Sequence, residues 1–600
     1  VTFWLKFVLR RATICVLKPL LAMTNWFHVL LAIAVSAGKS TAAVPLHQNE
    51  AISRACKVYC AGSLLEAVQN SGIFNDSKTF VDMPLKQDPE LILEAFSQLA
   101  TPLEPSVLRS FVAQYFGEPG EELHSWTPPD FVKRPPLLQS IAYEELRNWS
   151  LDLNELWKVL GRIQDADVNK HPERHSALPR RFGMIVPGGR FRETYYWDSY
   201  WIVRGLLASS MVETAKGVVE NLLDDVRNFG FVPNGGRIYY LDRSQPPFLT
   251  EMVLAIHAVS PNMTWLASVV PVLEKEYNFW MDPLQGHSIP IPYHGDVKLN
   301  RYSSSEESPR PESYAEDLAT GIEAEKTLRR RRQDVWKGLR AGAETGWDFS
   351  SRWTDAASGG AANLTTVDAS AVVPVDLNCV LYRFELGLSQ IHSELMNDSL
   401  SVFYKAAALQ RKHHMDIILW NRTSNSYRDY LLATGRHSAI VSLSDYSAPL
   451  WAGLMGPEQE AMRDVAVSST LVSLQKAGLL HSGGGSTTTL LSGQQWDAPN
   501  AWAPLQLMLV EGLDTLATVE AKHIADKLAS DWLHSGLMAW KKTRVMYEKY
   551  NAFKPGYTGG GGEYHPQIGF GWTNGVALVL LLRENARHRM MAETGLSLWM

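Results

Sequence analysis

The stretch PGGRFRETYYWDSYW, residues 187–201, holds two glycines, two arginines, two acidic residues and six aromatic residues in fifteen positions. Arginines and acids are rarely buried in a core unless they are paired, so the stretch is not typical of core. It also carries too many rings for an ordinary solvated loop. Flexible backbone, guanidinium groups and aromatic faces side by side instead predict a surface that lines a ligand site.

Four further regions set an acid or an arginine beside a ring, with glycine or proline shaping the backbone. They are residues 232–247, 309–313 (which lacks only the ring), 344–353 and the segments 492–506, 547–551 and 559–575. Sugar hydroxyls both donate and accept hydrogen bonds, which suits carboxylates, guanidinium groups and amides. One such loop alone is more typical of a packed turn with an Arg–Asp pair. Five in one chain favour a sugar-binding site.

Helical periodicity dominates the rest of the chain. Apolar residues recur at a spacing near 3.6 over residues 211–230, 400–420, 519–536 and 574–588. Alternation typical of strands is scarce, and residues 235–241, GGRIYYL, are the clearest candidate. The sequence therefore predicts an all-α protein whose long functional loops gather on one face. Periodicity alone leaves open whether the helices close into a ring.

Composition narrows the class of partner. The chain has 600 residues, 46% hydrophobic residues and a formal net charge of −6. This balance gives no reason to expect nucleic acid or an anionic membrane as a partner. Together with the sugar-like loops, this balance leads us to expect a small-molecule substrate, with no nucleic acid and no stable membrane partner; oligomeric state is left open.

The N-terminal segment predicts export. Residues 26–36, WFHVLLAIAVS, form an apolar run without charge, with basic residues before it and small residues after it. We expect residues 1–44 to be a signal or leader region, starting at Val1 or Met23, and the protein to be secreted. A permanent anchor at the cell surface is the alternative. Glycosylation is also expected, because Asn-x-Ser/Thr sequons occur at Asn75, Asn148, Asn262, Asn363, Asn397 and Asn421.

No metal or cofactor is predicted. The four cysteines form no CxxC pattern or His/Cys cluster, and no EF-hand loop is present. The spacing of Cys56 and Cys60 allows either a short local disulfide or two unpaired cysteines on one helix face, and the sequence does not decide between these.

Two of the motifs carry a family resemblance. PGGRFRETYYWDSYW and QQWDAPNAWAPLQ (494–506) resemble the two signature segments of the α,α-trehalases. DSKTFVDMPLK (76–86), RSQPP (243–247) and ETGWDFSSRW (344–353) are similar to that family too, in the same order. The resemblance covers roughly residues 50–580. Ala501 departs from it where glycine is more usual, and we expect little effect because the residue stays small.

The resemblance implies a fold and a reaction. The fold would be an (α/α)6 barrel, with six inner and six outer helices, formed by a single catalytic domain over residues 45–600. The reaction would be hydrolysis of trehalose to two glucose molecules with inversion at the attacked carbon. There are two alternatives: another inverting glucosidase on the same barrel, and a catalytically dead sugar-binding relative.

The same resemblance assigns roles to individual residues. Asp348 matches the general acid, which needs a raised pKa that burial beside Trp347 and Phe349 would supply. Glu548 matches the general base. The remaining matches would contact substrate: Arg190, Trp197, Asp198, Asn234, Arg243, Gln245, Arg310, Glu312, Gly346 and Glu563.

Some charged side chains in these motifs need not touch substrate. Arg192 and Glu193 are more typical of structural ion pairs. Arg190, Arg243 and Arg310 sit in loops shaped by Gly or Pro, so we expect them to line the pocket and not to be partners in core ion pairs.

Overall fold

The computed structural model describes residues 50–100, 102–456, 463–563 and 565–594. The expected leader, residues 1–44, lies outside these ranges. The helices within them are α1 (Glu50–Tyr59), α2 (Ser63–Asn70), α3 (Lys78–Val81), α4 (Pro89–Ser97), α5 (Pro105–Tyr115), α6 (Pro136–Gln139), α7 (Glu144–Leu160), α8 (Ala166–Lys170), α9 (Tyr196–Ala208), α10 (Val212–Phe229), α11 (Leu249–Val259), α12 (Met263–Met281), α13 (Tyr314–Leu328), α14 (Arg332–Glu344), α15 (Val375–Glu394), α16 (Asp398–Ile418), α17 (Ser444–Trp451), α18 (Arg463–Lys476), α19 (Ala503–Thr515), α20 (Val519–Thr543) and α21 (Gly571–Thr594).

Six of these helices close into a ring. Each packs against the next in the order α9, α11, α15, α17, α19 and α21, and α21 returns to pack against α9. The inner helices are buried on nearly all sides; in α9, eleven of the thirteen residues are buried. A helix that is apolar all round is expected only where other elements surround it. The ring is therefore the inner wall of a barrel.

A second layer of helices surrounds the ring. Helix α7 packs on α21, α10 on α9 and α11, α12 on α11 and α15, α16 on α15, and α20 on α19 and α21. Helix α18 reaches α17 through the Tyr446 and Ser473 hydroxyls, 2.8 Å apart. With α18 the described chain has six outer helices, and the (α/α)6 barrel expected from the sequence is confirmed.

Local sequence explains where these helices lie and end. Helix α10 buries one face, including Val218, Leu222 and Val226, at the helical spacing predicted for 211–230. It ends at Gly230, which adopts a left-handed conformation with φ 90° that favours glycine. The helices predicted at 400–420, 519–536 and 574–588 correspond to α16, α20 and α21, the last two being longer than predicted.

The strand prediction at 235–241 is wrong. Ile238–Tyr240 forms a single 3-10 turn. All three side chains are buried, whereas a strand would direct alternate side chains to opposite faces. The turn lets three consecutive large residues be buried together.

Short strands join the loops instead of forming a large sheet. They are β1 (Leu123–Ser125), β2 (Gly161–Gln164), β3 (Met184–Ile185), β4 (Ser288–Pro290), β5 (Lys298–Asn300), β6 (Val372–Val373), β7 (Trp420–Asn421), β8 (Ser426–Tyr427), β9 (Tyr430–Leu431), β10 (Arg436–His437), β11 (Leu480–His481), β12 (Gly484–Gly485), β13 (Asn500–Trp502) and β14 (Lys549–Asn551). All pairs are antiparallel, with sheet orders β1-β2-β3 and β10-β9-β6 and the pairs β4-β5, β7-β8, β11-β12 and β13-β14. The β13–β14 pair sets Ala501 opposite Tyr550 and joins the second signature segment to residues 547–551.

The N-terminal helices form a smaller core beside the barrel. Helices α1 to α5 pack around buried residues that include Tyr59, Phe80 and Phe111. Cys56 and Cys60 are joined by a disulfide in this region, which decides the alternative that the sequence left open. None of the helices in the described ranges combines the length and the apolar character that crossing a bilayer requires.

Candidate active site

One cavity contains every residue to which the sequence assigned a role. It lies where inner helices begin: Trp197 and Asp198 are in the first turn of α9, Trp502 precedes α19, and Trp572 is in the first turn of α21. The lining residues include Asp348, Glu548, Arg190, Trp197, Asp198, Asn234, Arg243, Gln245, Arg310, Glu312, Gly346 and Glu563.

Asp348 lies in the loop between α14 and α15. Gly346, two residues earlier, has φ +71°, and a Cβ there would come within 2.8 Å of the Trp197 indole. Only glycine therefore lets this turn approach the ring so closely. Burial raises the pKa of Asp348 from 3.8 to about 6, although Arg310 and Arg243 act in the opposite direction. A carboxyl with that pKa retains its proton in a substantial fraction of molecules near pH 6.

Glu548 precedes β14 and is 1% exposed. Its backbone N–H donates to the carbonyl of Gln567 at 3.0 Å, and the Gln567 N–H donates to the Glu548 Oε2 at 3.2 Å. The Gln567 side-chain oxygen accepts from the backbone N–H of Arg190 at 2.8 Å. Gln567 thus ties the Glu548 carboxylate to the stretch 187–201.

Asp198 places a third carboxyl near the other two. Burial raises the pKa of this carboxyl well above its usual range, and the neighbouring charges of Glu548 and Asp348 raise it further. Because like charges disfavour ionisation of one another, a site with three carboxyls holds some of them protonated.

Asn234 and Gln245 join the loop before α11 to the start of α9. The Asn234 carbonyl accepts from the Tyr196 N–H at 3.2 Å, and its own N–H donates to the Arg243 carbonyl at 3.0 Å. The Gln245 side-chain oxygen accepts from the Trp197 N–H at 3.2 Å. These bonds hold the 234–245 loop against the first signature segment.

The arginines of the cavity are also ion-pair partners. Arg243 pairs with Glu312 at 2.6 Å, and Arg310 pairs with Asp317 at 2.6 Å and with Glu563 at 3.2 Å. Each arginine also has a largely buried partner that does not line the cavity, Asp242 for Arg243 and Asp317 for Arg310. The expectation that these two arginines avoid core ion pairs is therefore wrong, because a buried guanidinium needs a counter-charge.

Arg190 and Glu563 lie nearer to solvent. Arg190 pairs with the partly exposed Asp76 at 2.7 Å. Burial raises the pKa of Glu563 to about 7, while the charge of Arg310 acts to lower it.

Tryptophans form one wall of the cavity. Trp496 lies between Trp347, with ring centroids 5.1 Å apart and planes 16° apart, and Trp502, with centroids 3.9 Å apart and planes 1° apart. Trp197 and Trp572 meet this stack at ring centroid distances of 5.6 and 5.4 Å from Trp496 and Trp502 respectively. Four of these five tryptophans, Trp197, Trp496, Trp502 and Trp572, line the cavity.

Sequence reasoning assigned no role to several lining residues. They are Lys78, Phe191, Tyr195, Tyr240, Ser313, Ala343, Trp496, Trp502, Phe570 and Trp572. Five of the ten lie inside the motifs that carried the resemblance, and four more lie in the other regions that combine rings with charges, so membership of these regions was the available signal.

Lys78 belongs to a buried charge network beside the cavity. It pairs with Asp82 at 2.6 Å and with Glu193 at 2.8 Å. Arg192 also pairs with Asp82, at 3.1 Å, and Arg237 pairs with Glu193 at 3.0 Å. The expectation of structural ion pairs for Arg192 and Glu193 is confirmed, although the two do not pair with each other.

The arrangement suits acid–base chemistry on a polyhydroxylated ligand. It offers carboxyls with raised pKa values, guanidinium groups and stacked rings within one cavity. Within the described part of the chain, no three His, Cys, Asp or Glu side chains are grouped so as to hold a metal ion.

Comparisons with known proteins point to one family. The family model described as Trehalase matches residues 72–585. The chain is 40% identical over 553 residues to the trehalase of Homo sapiens, covering 90% of this chain and 92% of that protein. It is 39% identical over 530 residues to the trehalase of Tenebrio molitor, covering 87% and 94% respectively.

A solved structure shares the fold. The neutral trehalase of Saccharomyces cerevisiae aligns with a TM-score of 0.55 at 24% identity, covering 69% of this chain and 76% of that one. At this identity the likeness concerns the barrel alone.

Proposed function

This chain belongs to the trehalase family and hydrolyses α,α-trehalose to two glucose molecules; we propose that Asp348 is its general acid and Glu548 its general base. The observation that carries the proposal is that both carboxyls line the same cavity as the arginines and the tryptophan wall. We further propose that the reaction inverts the attacked anomeric carbon.

In the proposed reaction the Asp348 carboxyl gives its proton to the glycosidic oxygen as the bond from that oxygen to the attacked carbon breaks. A water molecule attacks the same carbon from the opposite face, and its proton passes to Glu548. The attacked unit is released as β-glucose, and the leaving unit is released as α-glucose. Both protons are accounted for, and no cofactor is required.

Asp348 suits the acid role because burial raises its pKa to about 6. A general acid works best when its pKa lies near the working pH, since it must be protonated and yet still release its proton. Arg310 and Arg243 keep the pKa from rising further, so the carboxyl remains able to donate.

Glu548 suits the base role because its carboxylate accepts a hydrogen bond from the Gln567 N–H. This bond fixes the orientation of the carboxylate, which a base needs in order to take a proton from a positioned water. Glu563 instead pairs with Arg310, and we assign it to binding a sugar hydroxyl. Arg190, Trp197, Asp198, Asn234, Arg243, Gln245, Arg310, Glu312 and Gly346 complete the proposed contacts with substrate.

The test of Asp348 is the change Asp348→Asn. On trehalose we expect kcat to fall by about 10³- to 10⁴-fold, because the glucose leaving group needs a proton. An aryl glucoside with a good leaving group should lose much less. Equal losses on the two substrates would contradict the acid assignment.

The stereochemical outcome has its own test. Proton NMR of the first turnovers should show α- and β-glucose in equal amounts before mutarotation. Early α-glucose alone would contradict inversion.

The setting of this activity is also a proposal. We place the catalytic domain at residues 45–600, after a leader removed on export, with trehalose as the small-molecule partner and with neither nucleic acid nor a stable membrane partner. The protein is then secreted, carrying glycans at its sequons. Expression of the full chain in secreting cells should yield active, glycosylated protein in the medium. Activity recovered only in washed membranes would favour attachment at the cell surface.

A further inference from the structure

Lys549 is a buried lysine next to the proposed base. Lys549 is 0% exposed, and it lies opposite Trp502 in the β13–β14 strand pair. The ammonium lies 2.7 Å from the Gln495 side-chain oxygen and 4.8 Å from the centroid of the Trp502 ring. Burying an ammonium costs free energy unless its surroundings compensate, so its placement between Trp502 and Gln495 calls for a functional reason.

The Lys549 ammonium fixes the orientation of the Gln495 amide. An ammonium has only donors, so the amide must present its oxygen to it. The Gln495 NH₂ group is then directed to the other side, where it donates to the backbone carbonyl of Asp348. If the amide turned over, its oxygen would face that carbonyl oxygen, which is repulsive. The lysine beside Glu548 thus determines a contact made to Asp348.

Gln495 is itself held firmly. Its backbone carbonyl accepts from the Asn500 side-chain amide at 3.0 Å and from the Trp502 indole N–H at 2.9 Å. Gly562, before Glu563, has φ +89°, and a Cβ there would come within 2.8 Å of the Gln495 side chain. One amide therefore adjoins the loops of the acid, the base and Glu563.

We propose that Lys549 and Gln495 are positioning residues that fix the Asp348 carboxyl relative to the Glu548 carboxylate; we call this pair the Lys549–Gln495 brace. The proposal rests on the acid and base roles proposed above. Neither residue transfers a proton. The brace acts by holding the backbone of Asp348 at a fixed place relative to the strand that follows Glu548.

The lysine adds an electrostatic effect that the glutamine does not. Burial lowers the pKa of Lys549 to about 8, while the carboxylates of Glu548 and Asp348 act to raise it. The residue is therefore mainly charged at neutral pH, and its charge favours the ionised forms of both carboxyls. Removing the lysine should change both geometry and pH dependence, whereas removing the glutamine should change geometry alone.

The experiment compares Lys549→Met, Gln495→Met, their double variant and Lys549→Arg in the full chain. Gln506→Met is the matched control, because Gln506 is a buried glutamine in the same segment that bonds to Gly485 and the Trp502 carbonyl. We expect kcat on trehalose to fall roughly 10²-fold in each single brace variant, because small displacements of reacting groups are costly. KM should change by less than about threefold, since ground-state binding is retained. Lys549→Arg should restore most of kcat.

Two further readouts separate positioning from general damage to the fold. The double variant should lose about as much kcat as one single variant, because both changes break the same connection. The acid limb of the pH profile of kcat/KM should move to higher pH in Lys549→Met and stay in place in Gln495→Met.

Three outcomes would each overturn the proposal. The first is a kcat loss in the double variant equal to the product of the two single losses, the second is an acid limb that does not move in Lys549→Met, and the third is a kcat loss in Gln506→Met as large as that of the brace variants. Should Lys549→Met fail to fold, the comparison of Gln495→Met with Gln506→Met at matched thermal stability decides it. A wild-type chain that releases no glucose from trehalose would instead refute the proposed function.

Discussion

Four arginine side chains are fully buried in the described part of the chain, and they fall into two pairs: Arg243 and Arg310 at the cavity, and Arg237 and Arg352 in the core. Arg243 and Arg310 each pair with a carboxylate that also lines the cavity. The core arginines pair with carboxylates that do not line it: Asp82, Glu122 and Glu193 for Arg237, and Asp376 and Asp429 for Arg352.

Burial and ion pairing are therefore the same in both groups, and neither distinguishes a ligand-binding arginine from a structural one. The difference lies in what the partner carboxylate faces. In the cavity pairs both members line the cavity, so a ligand hydroxyl that enters it can bond to both. Neither member of the core pairs lines the cavity, so a ligand there does not reach them. A buried charge pair is weak evidence for either role until its surroundings are known.

The largest expected effect comes from removing one arginine of each kind. Arg310→Met and Arg352→Met both leave a buried aspartate without its closest cation, Asp317 and Asp429 respectively. We expect each to lower the free energy of unfolding by about 3–5 kcal/mol. In the molecules that stay folded, Arg310→Met should also lower kcat/KM by about 10²-fold or more, since charge-assisted bonds to substrate are lost.

Thermal unfolding measures the loss of stability. Steady-state kinetics, measured well below the melting temperatures of both variants, give kcat/KM for the folded molecules. Folded Arg352→Met should keep kcat/KM within about tenfold of wild type, as its contacts lie outside the cavity. An equal loss of activity in both variants would break the distinction between the groups. Arg352 stacks on Trp347 at 4.3 Å, which is the route by which such a loss would arise.

The next effect concerns pH and stability. The pKa of Asp348 is about 6 in the folded chain, above its ordinary 3.8, so the folded state binds this proton more tightly than the unfolded state. Ionisation of Asp348 therefore reduces stability progressively between about pH 4 and pH 6, and the reduction stays constant above that range. Asp348→Asn should be more stable than wild type at pH 7 by about 3 kcal/mol.

Denaturant unfolding at pH 7 and pH 4 measures this gain, which should disappear at pH 4. Asp429→Asn is the core counterpart and should be less stable than wild type at pH 7, because it weakens the pairing with Arg352. If Asp348→Asn were less stable than wild type at pH 7, the ionised Asp348 carboxylate would not destabilise the folded state, and the prediction would be wrong.

The smallest effect is expected from Glu563→Gln. Losing one charge-assisted contact in the cavity should raise KM for trehalose about tenfold and leave kcat nearly unchanged. Glu385→Gln is a suitable control, because Glu385 pairs with Arg411 at 2.8 Å and does not line the cavity. Steady-state kinetics decide the case. A collapse of kcat in Glu563→Gln would move the base assignment from Glu548 to Glu563.

The sequence by itself determined four of the helices, the family and twelve residues of the site. The periodicity at 211–230 and the stop at Gly230 are local properties, since a buried stripe and a left-handed cap depend on a few neighbouring residues. The motifs identified twelve of the twenty-two residues that line the cavity, because a ligand constrains residue type wherever the chain touches it. Residues 235–241 were assigned wrongly because burial of consecutive side chains depends on distant neighbours such as Asp82, which accepts from the Tyr239 hydroxyl at 2.8 Å.

Only the tertiary structure decided which charges pair and which contacts link the loops. The pairs Arg310–Glu563 and Arg243–Glu312, and the connection from Lys549 through Gln495 to Asp348, join segments whose order in the chain does not indicate their proximity. Ring closure has the same origin, since α9 meets α21 only when six inner helices pack in turn. A pKa near 6 for Asp348 likewise follows from burial and from neighbours brought by separate loops. Local sequence encodes the residue types, and long-range packing sets their environment.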